Sequence, residues 1–100
     1  MPVVGWEYIK TATGKRLKKV YGYISGTSGT TEDTGLRKII GIYLTRYQSS
    51  WSLDSLVVEA EYGGSGGKFT LRVKNLDPGA TAAAEDTSTT VTVFYEVIGF

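Results

Sequence analysis

The chain has 100 residues, of which 41% are hydrophobic and 21% charged, and its formal net charge is +1. This length predicts one domain over residues 1–100, and this composition excludes intrinsic disorder. A net charge so near zero gives no reason to expect binding to nucleic acid or to an anionic membrane. No apolar run approaches the roughly 20 residues that span a bilayer, and the N-terminus lacks the pattern of a secretion signal, so we expect no membrane insertion.

Two residue types that dominate enzyme chemistry are missing from the sequence. There is no cysteine and no histidine, which excludes disulfides, Ser-His-Asp and Cys-His catalytic arrangements and the usual zinc ligand sets. We therefore expect a protein that is not an enzyme and that uses no metal or cofactor. Methionine, asparagine and glutamine occur once each, at Met1, Asn75 and Gln48. Depletion of such residues favours a thermophilic source.

The first third of the chain has two strand patterns. Residues 3–9 form the first, and a turn is predicted at residues 11–14. Residues 17–25 form the second. Their alternation places Val20, Gly22 and Ile24 on one face and Tyr21 and Tyr23 on the other.

The middle of the chain alternates between polar and apolar stretches. Residues 26–35 have no hydrophobic pattern and are predicted to be a loop. Residues 36–45 form a near-continuous apolar run, which predicts a strand buried on both sides. Residues 56–62 alternate, and the glycines of residues 63–67 predict a hairpin tip rather than a phosphate-binding loop.

The last third of the chain completes the strand pattern. Phe69, Leu71 and Val73 alternate with polar residues, a turn is predicted at residues 77–79, and residues 80–85 allow one helical turn at most. Residues 89–98 predict a final strand with Val91, Val93, Tyr95 and Val97 on one face. These patterns predict an all-β, antiparallel β-sandwich of about six to eight strands, jelly-roll-like or immunoglobulin-like, with negligible helix.

The carboxylates offer two alternatives to a purely structural role. Glu59 and Glu61 would share a strand face with their Cα atoms roughly 6.6 Å apart, as in a glycosidase pair, or they form an ordinary solvated face. Glu32-Asp33 and Glu85-Asp86 are predicted to lie in loops, where they could bind calcium or simply be solvated. We favour the solvated interpretation for both sets.

One dense basic cluster is formed by Lys15, Arg16, Lys18 and Lys19. It could neutralise phosphates or meet an acidic partner. It is equally typical of an edge strand that carries lysine against unwanted pairing.

The aromatic content predicts a binding surface. Seven tyrosines and two tryptophans are many for one small domain, and these residues anchor interfaces and stack on sugars.

The final strand keeps apolar residues on the face opposite its core face. Either a neighbouring subunit covers that face, or the strand is central and both faces are covered within one subunit. The candidate interface residues are Tyr21, Tyr23, Trp51, Phe94, Ile98 and Phe100.

Four segments together resemble a known kind of module. They are residues 22–26 (GYISG), 34–42 (TGLRKIIGI), 69–73 (FTLRV) and 90–100 (TVTVFYEVIGF). Their succession resembles small β-sandwich virion proteins of the capsid-decoration, head-fibre and tail-fibre-tip type. The resemblance implies a viral structural protein located in the virion. It also implies a homo-oligomer, commonly a trimer, that docks on a larger virion protein such as a capsid protein.

The H-type lectins have a similar layout and supply the alternative function. That resemblance implies a carbohydrate-binding module for attachment to a cell surface, with glycans as partners. No lectin sugar-site motif matches this sequence, so no sugar-binding residues are assigned.

Overall fold

The structure, a computed structural model, describes residues 3–10, 14, 16–47, 56–75 and 84–100. Residues 11–13 of the predicted turn at residues 11–14, the predicted turn at residues 77–79, and Lys15 and Trp51 lie outside these ranges. The described residues form eight strands and no helix: β1 (Val3–Lys10), β2 (Arg16–Gly26), β3 (Thr31–Asp33), β4 (Ile39–Tyr47), β5 (Leu56–Glu61), β6 (Lys68–Asn75), β7 (Ala84–Glu85) and β8 (Val91–Gly99).

The strands build two antiparallel sheets, which confirms the all-β sandwich. The four-stranded sheet has the order β1-β2-β8-β4. The second sheet has the order β3-β6-β5, and β7 also pairs with β6. The turn at residues 63–67 connects the antiparallel strands β5 and β6, as predicted.

The core lies between the two sheets and is built from strictly alternating residues. Every second residue of β8, from Val91 to Val97, is at most 3% exposed. From β2, Val20 and Ile24 face the same side, and Gly22 between them is also buried. The second sheet contributes Phe69, Leu71 and Val73 of β6, which are at most 1% exposed. The alternation predicted for these three strands is therefore confirmed.

The prediction that residues 36–45 form a strand buried on both sides is wrong. Ile39 is 3% exposed, but Ile40 is 57% and Tyr43 62% exposed. A shift of register between Ile39 and Gly41 makes Ile40 an extra, outward-facing residue, so that Ile39 and Ile42, three positions apart, both turn toward the core. Strand β4 lies at the edge of its sheet and turns only one face to the core.

The prediction of a loop over residues 26–35 is also wrong in part, because β3 pairs with β6 within it. This pairing directs the Glu32 side chain into the core, where it is 3% exposed. The Tyr95 hydroxyl donates a hydrogen bond of 2.7 Å to its carboxylate. Glu32 is thus a buried core group and not a solvated loop acid. Ala84 and Glu85 likewise belong to a short strand and not to a helical turn.

The Tyr95–Glu32 pair gives a testable dependence of stability on pH. Burial, and then the hydrogen bond to Glu32, raise the pKa of the Tyr95 phenol above its ordinary value. In the unfolded chain this phenol ionises near pH 10, while in the folded protein it stays neutral to higher pH. The folded state then binds more protons, so the free energy of unfolding falls as pH rises above about 10.

We expect Tyr95→Phe to remove part of this alkaline loss. At neutral pH the variant should be less stable by about 1–3 kcal/mol, because it removes a donor to a buried carboxylate. The measurement is urea unfolding of wild type and variant at a series of pH values from neutral to above 10. Parallel stability curves for the two proteins would contradict the assignment.

Candidate functional site

The outer face of the four-stranded sheet carries a cluster of large side chains. Residues directly opposite each other on neighbouring strands have their side chains on the same face of the sheet. The strand register therefore shows which residues form rows across this outer face. One row contains Tyr21, Glu96 and Tyr43, and the next contains Tyr23, Phe94 and Thr45. Tyr23, Phe94 and Tyr43 are 39%, 38% and 62% exposed. We name this surface the aromatic face and define it as Tyr21, Tyr23, Tyr43, Phe94 and Ile98.

The structure brings together four of the six predicted interface residues. Tyr21, Tyr23, Phe94 and Ile98 all lie on the aromatic face. One predicted alternative was a central β8 with both faces covered within one subunit. Strand β8 is central in its sheet, but Phe94 on its outer face is 38% exposed, so the described residues do not cover that face. The sequence pattern does not indicate Tyr43, because the apolar run over residues 36–45 predicts an interior position for it.

Phe100 has a different position from the other predicted interface residues. Its ring is 37% exposed, but its main chain is held firmly. The Phe100 amide donates to the Lys38 carbonyl at 3.0 Å, and the Arg37 and Lys38 amides donate to the Phe100 carbonyl at 2.7 and 3.1 Å. Truncation of this end would therefore disturb the fold, and side-chain substitutions on the aromatic face are the sharper test of an interface.

Strand β1 supports one edge of the aromatic face. Its Gly5 pairs with Tyr21, and the tyrosine ring lies across the glycine. A methyl group on Gly5 would overlap the Tyr21 hydroxyl and stand 2.6 Å from its Cζ atom. The absence of a side chain thus lets the ring lie against the strand. A ring held in this way loses little conformational entropy when a partner covers it.

Charged groups lie in the middle of the aromatic face and beside it. Glu96 lies between Tyr21 and Tyr43. Lys19 lies beside Ile98 and forms an ion pair of 3.0 Å with Glu7. The hydrogen bond to Glu7 raises the pKa of Lys19. The aromatic face is thus a group of large side chains around one acid, with an ion pair beside Ile98.

The predicted carboxylate pair of β5 lies on the outer face of the second sheet. Glu59 forms an ion pair of 2.9 Å with Lys74, and Glu61 one of 2.9 Å with Arg72. Each carboxylate is thus matched with a base on the neighbouring strand. This arrangement supports the interpretation of a solvated, salt-bridged strand surface.

The acids at residues 85 and 86 have structural contacts. Glu85 accepts hydrogen bonds from Ser28 at 2.6 Å and from Arg72 at 3.1 Å. Asp86 accepts from the side chain of Thr89 and from the amides of Ser88 and Thr89, and these hydrogen bonds lower the pKa of Asp86 to about 2. Among the described residues, no group of three or more acidic side chains is placed to hold a metal ion.

The basic cluster is divided between two faces of the sheet. Lys19 points to the aromatic face, whereas Arg16 and Lys18 pair with Lys10 and Tyr8 and so lie on the opposite face. For Lys18 and Lys19 the interpretation as protection of a sheet edge is wrong, because that part of β2 lies between β1 and β8.

None of the described residues belongs to a helix long and apolar enough to cross a membrane. Comparison with known proteins gives no match to a protein family, to a curated protein or to a solved structure.

Proposed function

We propose that this protein is a non-enzymatic structural module of a virion, of the capsid-decoration type, which acts through homo-oligomeric and protein–protein contacts. The observation that carries the proposal is the aromatic face. Three of its rings are more than a third exposed on a continuous sheet, and exposed clusters of this kind mark interaction surfaces. Virion location and trimeric assembly are the parts of the proposal that rest on the sequence resemblance.

The aromatic face has the chemistry of an interface centre. Tyrosine and other aromatic residues are enriched at the positions that contribute most to binding, and such positions cluster near the middle of an interface. Complete burial of one ring the size of Phe94 is worth about 1.5–3 kcal/mol. The sheet supports these rings on three hydrogen-bonded strands, so little rearrangement is needed on binding.

The test is self-association of a Phe94→Ser variant. We expect wild-type protein to form oligomers over the micromolar range in sedimentation experiments. The substitution should weaken their association at least tenfold, because a partly exposed ring on the middle strand of the face is lost. Val57→Ser is the matched control, since Val57 is 36% exposed but lies on β5 in the second sheet. It should leave association unchanged.

Two results would contradict the proposal. One is a wild-type protein that stays monomeric at high micromolar concentration and does not bind a capsid protein. The other is an equal loss of association in the Phe94 and Val57 variants. A monomer that binds a glycan array, and loses that binding on Phe94→Ser, would favour the carbohydrate-binding alternative. Capsid or tail genes beside the coding gene would support the virion location.

A further inference from the structure

The core-side face of the four-stranded sheet continues beyond the part that the second sheet covers. Trp6 pairs directly with Val20, so the two side chains lie on the same face. Val20 is 2% exposed, but Trp6 is 54% and its neighbour on that face, Tyr8, is 53% exposed. The face is thus buried at Val20 and uncovered one strand further out. We name the uncovered surface the overhang and define it as Trp6, Tyr8, Lys10, Arg16 and Lys18.

The overhang interleaves two aromatic rings with cations. The rings of Trp6 and Tyr8 are 5.2 Å apart with an angle of 77° between their planes. The Lys18 ammonium lies 4.7 Å from the centre of the Trp6 ring, and the Arg16 guanidinium lies 4.6 Å from the centre of the Tyr8 ring. At exposed sites such contacts are individually weak, so they favour this arrangement of rings and charges before any ligand arrives without fixing it.

The positive charge of the overhang is not neutralised by the acids of its own hairpin. Glu7 is the one carboxylate in β1 and β2, and it lies on the opposite face, where it pairs with Lys19 at 3.0 Å. Among the described residues, Arg16 and Lys18 contact aromatic rings and form no ion pair. Three cations therefore share a surface on a protein whose formal net charge is only +1.

A cleft adjoins these side chains at the end of the hairpin. It has a volume of about 510 Å³ and is lined by Tyr8, Ile9, Lys10, Gly14 and Arg16. Ligand pockets in proteins have volumes of roughly 300–1,000 Å³. The surface thus combines an exposed stacking platform, a concavity and uncompensated positive charge.

We propose that the overhang binds single-stranded nucleic acid. A ligand for this surface must be a polyanion that also presents flat faces, and an unpaired strand offers both in alternation. Residues two apart on a β-strand are separated by about 6.8 Å, which is twice the 3.4 Å step between stacked bases, so Trp6 and Tyr8 are spaced to meet alternate bases of a strand. A duplex would keep its base faces stacked and out of reach. The formal net charge of the whole chain does not indicate this basic surface, because it sums the charges of every face.

The experiment is fluorescence anisotropy of a labelled thymidine oligonucleotide of about 15 bases, a length that covers one typical binding site. We expect saturable binding at low salt. Trp6→Leu combined with Tyr8→Leu should weaken this binding at least tenfold, because bases can no longer stack on the two rings. Each cation that neutralises a phosphate of a single strand contributes about 0.7 to the slope of log affinity against log salt concentration. Arg16→Gln combined with Lys18→Gln should therefore reduce the magnitude of this slope by about 1.4.

Lys19→Gln is the matched control, since Lys19 lies on the same strand but on the opposite face. It should leave both affinity and salt slope unchanged. Absence of saturable binding would overturn the proposal, as would an equal loss in the Lys19 variant. Equal or tighter binding of a sulfated oligosaccharide would also overturn it and assign the site to anionic glycans. The Phe94→Ser variant should bind the oligonucleotide normally, which keeps this test separate from that of the aromatic face.

Discussion

Replacement of Gly67 by alanine is expected to lower the free energy of unfolding by about 3 kcal/mol or more, a large effect for one methyl group. Gly67 is buried immediately before β6, close to the segment that leads into β4. An added methyl group would overlap the Leu36 carbonyl oxygen and stand 2.8 Å from the Leu36 carbonyl carbon. Both atoms belong to backbone, which cannot move aside as a flexible side chain can.

Hydrogen bonds prevent the two segments from separating. The amide and the hydroxyl of Thr34 both donate to the Gly67 carbonyl, at 2.9 and 2.7 Å. The same hydroxyl accepts a bond of 3.3 Å from the Leu36 amide. A shift that relieved the overlap would break these bonds in a buried site, where an unpaired polar group costs about 1–3 kcal/mol.

Urea unfolding of Gly67→Ala, beside Gly41→Ala, measures this effect. Gly41 lies in β4, and an added methyl group there would meet no atom within 4 Å. We expect Gly41→Ala to change the free energy of unfolding by less than about 1 kcal/mol. Similar stability of the two variants would show that the close approach at Leu36 does not constrain the fold.

Phe69→Ala is expected to lower the free energy of unfolding by about 3–5 kcal/mol, a large part of the 5–15 kcal/mol typical of a domain. Phe69 is 1% exposed at the centre of the second sheet. Its ring meets the Tyr95 ring of the other sheet edge-on, at 5.4 Å between centres and 76° between planes. The substitution leaves a cavity between the sheets and removes this aromatic contact.

The control for Phe69→Ala is Val57→Ala, a truncation on the outer face of the same sheet. Val57 is 36% exposed, so its loss should cost no more than about 0.5 kcal/mol. Chemical unfolding of both variants gives the comparison. A loss below about 1.5 kcal/mol for Phe69→Ala would mean that the two sheets are not packed through this ring.

Sequence patterns predicted the parts of the fold where alternation is regular and long. In β2, β6 and β8 the apolar residues recur at every second position, and burial follows that period. This regularity also placed Tyr21 and Tyr23 on the outer face of β2 and Phe94 on that of β8, and the pairing of the two strands brings them together. The period of a strand is fixed by its geometry, so a single sequence is enough to assign its faces.

The remaining features depend on pairing between distant segments. Strand β3 has three residues in a polar stretch, and only its register with β6 buries Glu32. The bulge in β4 and its place at the sheet edge follow from topology, which local composition does not encode. The basic cluster is typical of an edge strand, but in the order of the sheet β2 lies between β1 and β8. Its division between two faces could have been inferred from alternation alone.

Strand β8 is the last of the described strands along the chain, yet it lies between β2 and β4. The hairpins β1–β2 and β5–β6 join neighbouring segments and can form in microseconds. The pairing of Val20 with Val97 instead closes a loop over most of the chain, and long loops slow folding. Until residues 91–99 have been synthesised, β2 and β4 each have a hydrogen-bonding edge without a partner. A nascent or truncated chain is therefore the species most exposed to aggregation.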